Sequence, residues 1–199
     1  MPELHGDAYN LYIQAHGQDR YDRYAEKDPA TRHGSIPPTG WPTTSSAFSH
    51  RPEHDVESVV WTMLWVLLRV RPETFDDERE WTSDRVAEIW TIFRHHDIRD
   101  NPAWVWETRQ LIFNIDPENW PKYFPSEMSG VATMMSRILD QVAPEYAFWL
   151  TQPPEEHLHE AVQRLILQYL VDHRDKDIKL DPDNLRPTRS KLESRRPYN

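Results

Sequence analysis

The chain has no cysteine in its 199 residues, which excludes disulfides, thiolate nucleophiles and cysteine-based zinc sites. With no disulfide to form, an intracellular location, cytoplasmic or nuclear, is the expectation. Positive charge is in deficit: 23 Lys and Arg stand against 33 Asp and Glu, a formal net charge of −10. That balance disfavours nucleic acid as a partner and gives no reason for attachment to anionic lipid. Long apolar runs are also missing. The longest, from Val59 to Leu68 and interrupted by Thr62, falls far short of the roughly 20 residues that a membrane span needs. The start, MPELHGDAYN, lacks a basic segment followed by an apolar one, so no signal peptide is expected. Glycine is scarce, with four of the five residues lying before residue 50, and no Gly-x-Ser-x-Gly elbow of the hydrolase type occurs.

What the chain does have is aromatic bulk. Only 38% of its residues are hydrophobic, yet nine are Trp, eight Tyr and six Phe, and each aromatic buries a large area, so one domain of this length can still fill a core. The stretch HRPEHDVESVVWTMLWVLLRV, residues 50–70, predicts a helix. Val59, Val60, Trp61, Met63, Leu64, Trp65, Val66, Leu67 and Leu68 place apolar side chains all round it, the pattern of a helix enclosed on every side. Asp55 is placed to cap its N-terminus, and Arg69, Arg71 and Pro72 mark its end.

Further amphipathic helices are expected around it. One lies in WTSDRVAEIWTIFRHH, with Val86, Ile89, Trp90 and Phe93 on one face, and one in NPAWVWETRQLIFNID, with Val105, Thr108, Leu111 and Ile112. A third runs through SEMSGVATMMSRILDQV, with Met128, Val131, Ala132, Met135, Ile138, Leu139 and Val142 in register. The last starts at a proline pair in PPEEHLHEAVQRLILQYLVDH and turns Leu158, Ala161, Val162, Leu165, Ile166, Tyr169 and Leu170 inward. The fold expected is mainly α, a helical bundle around one buried central helix. Residues 1–49 read as a loop-rich segment, although DAYNLYIQAHGQDRYDRYAEK permits a helix broken at Gly17. Residues 50–174 form the helical domain. Residues 175–199 read as a flexible, locally basic tail, with Arg186, Arg189, Lys191, Arg195 and Arg196 either a nuclear address or a solubilising terminus.

The motif HDVES, His54, Asp55, Val56, Glu57 and Ser58, standing immediately before the apolar helix, resembles the start of the central helix in the C-terminal lobe of protein kinases. In this form it is most similar to the fungal-type protein kinase family. RHGS, Arg32 to Ser35, is similar to that family's activation segment, and the order of Trp104 to Phe113 followed by KYFPSEM follows the family loosely. The resemblance covers roughly residues 30–172. It implies a kinase-like C-terminal lobe in which Asp55 holds backbone beside the catalytic loop.

Phosphoryl transfer needs a glycine-rich loop, a strand lysine, an aspartate base and metal-binding Asp and Asn residues. Only Gly6 and Gly17 precede the first lysine, Lys27, and neither Asp-Phe-Gly nor Asp-Phe-Asp occurs. The segment LHGDAYN, with His5, Asp7 and Asn10, resembles a catalytic loop, but its Asn follows the Asp by three residues where the family places it five after. Asp7 is the one catalytic candidate, with an ordinary polar N-terminus as the alternative. The expectation is a degenerate or truncated lobe acting as a non-catalytic binding or scaffolding module, with a protein partner and no cofactor. The alternative is a phosphotransferase completed by a separate N-terminal lobe.

Two histidine clusters, His95-His96-Asp97 and Glu156-His157-Leu158-His159-Glu160, lack a His pair at i, i+4, the spacing that helix-borne zinc sites favour. They read as solvated polar faces, with no metal expected. Trp41, Phe48 and Trp81 stand in loop-like contexts and are candidates for a partner surface; the loop from Arg32 to Phe48 is the candidate cover for the surface that would face an N-terminal lobe.

Overall fold

A computed structural model of the chain describes residues 1–25, 52–74, 111–143, 154 and 156–182. Among the described residues the protein is mainly helical and has no strand. The helices are α1 (Gly6–His16), α2 (Gln18–Arg23), α3 (Pro52–Arg69), α4 (Ser129–Val142) and α5 (His157–Asp172), with two 3₁₀ turns, Pro117–Tyr123 and Ser126–Met128, ahead of α4. The chain divides into two compact units, and the division falls within α3 and within α4. One holds Met1–Val60 and Ile138–Arg174, the other Trp61–Arg137 and Asp175–Asn199. The helix expected over 83–96, the loop from Arg32 to Phe48, Trp41, Phe48 and Trp81 lie outside the described residues.

In the first unit the N-terminal segment carries two helices, α1 and α2, separated by Gly17. The break anticipated at Gly17 is where α1 stops, and its φ of +83° is a backbone region that glycine enters without steric cost. The Gly17 amide closes α1 by donating to Ile13 O at 2.9 Å. Both α1 and α5 supply apolar side chains to one small cluster. Leu4, Ala8 and Tyr12 are buried there, with Tyr9, Ile13, Tyr21, Leu167 and Val171 packed against them.

The long helix α3 departs from expectation in two ways. It is not enclosed all round: Val56, Val60, Trp61, Leu64 and Leu68 are buried, whereas Val59, Trp65 and Val66 are 55, 41 and 42% exposed. The buried set recurs at three- and four-residue spacing, so α3 uses one face in packing although its composition is apolar on every face. Nor is Asp55 its cap. The helix starts at Pro52, a residue suited to the first helical position because its missing N–H would have no intrahelical partner there. Asp55 therefore lies inside the first turn, where its charge still meets the positive end of the helix dipole.

In the second unit, Trp61 lies against Phe113, ring centroids 5.8 Å apart, and Ile112 is buried while its neighbour Leu111 is exposed. Asp116 caps the first 3₁₀ turn by accepting from the Glu118 amide at 3.0 Å. Pro117 follows in the N1 position, and the turn delivers Trp120 to the interior. The stripe read through SEMSGVATMMSRILDQV is buried as expected at Met128 in the second 3₁₀ turn and at Ala132 and Met135 of α4, with Val131 half-buried, and it continues into the first unit with Ile138, Leu139 and Val142, also buried.

The start of the segment read as a flexible tail is tied down. Residues around Leu180 form an antiparallel bridge with Pro72, Glu73 N donating to Lys179 O at 3.0 Å and Asp181 N to Arg71 O at 2.8 Å. Pro72, three residues past the end of α3, has no N–H of its own, and the backbone groups on either side of it find partners here. The basic residues from Arg186 onward lie outside the described residues.

Candidate functional site

The densest polar arrangement among the described residues lies in the first unit, around Glu160 of α5. Its side chain is fully buried, and so is that of Arg164, one helical turn on. Arg164 Nε donates to Glu160 Oε1 at 2.9 Å. The remaining guanidinium nitrogens donate to backbone carbonyls, Nη2 to Tyr21 O at 2.9 Å and Nη1 to Pro2 O at 3.4 Å. Its planar face lies 3.9 Å from the centroid of the Tyr21 ring and 5.2 Å from that of Tyr12, a cation–π arrangement in a desolvated setting.

The N-terminal helices approach the same carboxylate from the other side. Tyr12 of α1 donates its hydroxyl to Glu160 Oε1. Arg20 of α2 reaches Glu160 Oε2 through Nε and Nη2, each at 3.3 Å, and its Nη2 also meets Glu156 Oε2 at 3.3 Å. Tyr24 donates to that Glu156 oxygen at 3.3 Å. Around this centre, the His5 amide donates to Gln168 Oε1 at 2.8 Å and the Leu4 amide to the Tyr21 hydroxyl at 3.1 Å. Tyr12 and Tyr24 both hold their protons more tightly than ordinary tyrosines. Burial is the first cause, followed by the neighbouring carboxylate, Glu160 for Tyr12 and Glu156 for Tyr24.

This arrangement binds one part of the chain to another. A carboxylate with no exposed surface and with both oxygens already accepting hydrogen bonds offers nothing to a substrate. What it does chemically is compensate two arginines and fix the register of α1 and α2 on α5. Such a pair can lie inside because each charge is met by the other and by further hydrogen bonds.

The glutamate-histidine cluster is thus corrected in half of its members. Glu160 and His157 are buried, not solvated; the carboxylate can lie inside because Arg164 neutralises it from the next turn and Tyr12 covers it. A signal was present. Glu160, Arg164, Leu167 and Val171 follow at spacings of four, three and four, a second stripe on α5 beside that of Leu158, Ala161, Val162 and Leu165. Its first two members are charged, so an apolar pattern search passes over it. The inward assignment of Leu170 is also overturned: it is 58% exposed.

The other sequence candidates lie apart from this network. Asp7 is in the first turn of α1, not in a loop, and its Oδ2 accepts from Arg174 Nη1 at 3.2 Å with both side chains largely exposed. His54, Asp55, Val56, Glu57 and Ser58 occupy the first two turns of α3. Val56 points into protein, Ser58 Oγ donates to His54 O at 2.9 Å, and Asp55 and Ser58 are exposed. His95, His96 and Asp97 lie outside the described residues. Among the described residues no group of three or more His, Asp or Glu side chains is gathered in a way that would hold a metal ion, and no helix is long and apolar enough to cross a membrane. Compared with family models, curated proteins and solved structures, the chain matches none.

Proposed function

We propose that the chain is a protein kinase-like C-terminal lobe that works as a non-catalytic binding or scaffolding module. The observation that carries this reading is the position of HDVES. The five residues, His54 to Ser58, lie in the first two turns of an 18-residue helix with a buried stripe, and the resembling motif stands near the start of a central helix in fungal-type protein kinases, although Asp55 does not cap the helix here. The assignment to binding instead of catalysis rests on the residues themselves. The chain carries no glycine-rich loop and no Asp-Phe-Gly, the elements that hold nucleotide phosphates and their metal ions. The one aspartate in a catalytic-loop-like segment, Asp7, is engaged with Arg174. A net charge of −10 adds long-range repulsion of a polyanionic nucleotide.

Calorimetry of the full chain with Mg-ATP, alongside a phosphotransfer assay on a generic protein substrate, tests the reading. The expected outcome is no saturable heat and no transferred phosphate. Micromolar Mg-ATP affinity that disappears in Asp7→Ala would overturn it in favour of a phosphotransferase.

A further inference from the structure

We draw no further inference here: the strongest candidate, the exposed apolar surface of α3 at Trp65 and Val66, with the Arg69 guanidinium lying over the Trp65 ring, carries nothing because nothing in the structure shows what covers it.

Discussion

Glu160 and Arg164 meet at 2.9 Å on one face of α5, with side chains 0% and 1% exposed. A pair in that setting is governed by an asymmetry. Together the charges compensate each other, but either one alone is left inside protein with its desolvation uncompensated.

Removing one member should therefore cost more than removing both. Glu160→Ala or Arg164→Ala is expected to destabilise the protein by about 3–5 kcal/mol, whereas Glu160→Leu combined with Arg164→Met should cost clearly less than either single change. Denaturant melts of the three variants measure this. A double variant at least as damaged as the singles would mean that the Tyr21 and Pro2 carbonyls and the Tyr12 hydroxyl, left without donors or acceptor, outweigh the charges.

The one-sided burial of α3 gives a second expectation. Leu64 has no exposed surface and Val66 is 42% exposed. Leu64→Ala should cost about 2–5 kcal/mol, while Val66→Ala should stay within about 0.5 kcal/mol of the native chain. Comparable losses at both positions would restore a helix enclosed all round.

Asp55 separates a cap from a charge effect. A capping aspartate is replaced well by asparagine and badly by alanine. Because Asp55 sits within the first turn of α3, Asp55→Asn and Asp55→Ala should behave alike, each losing about 0.3–1 kcal/mol of favourable interaction with the helix dipole, with the loss shrinking in high salt. Full tolerance of the asparagine variant alone would argue for a cap.

Alkali should loosen α1 and α2 from α5. Tyr12 and Tyr24 have folded-state pKa values raised above the ordinary 10.0, so the docked state favours the protonated phenols. Their contribution is fully present below the unfolded value and is lost as pH rises through the folded values. Amide exchange of α1 and α2, followed together with phenolate absorbance, should show the helices opening in step with ionisation above pH 10. Tyr12→Phe and Tyr24→Phe should remove that step. Opening of α1 and α2 that is complete well below the onset of phenolate absorbance would assign it to another group.

How much was legible in advance differs from one element to the next, for a physical reason. Helical character follows from local spacing, and the sequence alone determined it for α3, α4 and α5; for the N-terminal segment, read as loop-rich, it only permitted a helix broken at Gly17, where glycine's freedom at positive φ is a property of the residue itself. Composition likewise settled the absence of thiol chemistry and of a membrane-length apolar run. Which face of α3 is buried could not be read, because an apolar surface on every side is compatible with any orientation, and only the packing of Val56, Val60, Leu64 and Leu68 selected one. The first helical residue of α3 was misplaced because aspartate is a good cap in general and only the backbone shows that Pro52 precedes it in the helix. The network at Glu160 was the least legible of all. A glutamate four residues before an arginine is an ordinary surface pair on an isolated helix. It became a buried centre because folding brought Tyr12, 148 residues away in the chain, over it, and burial at that separation is decided by tertiary structure alone.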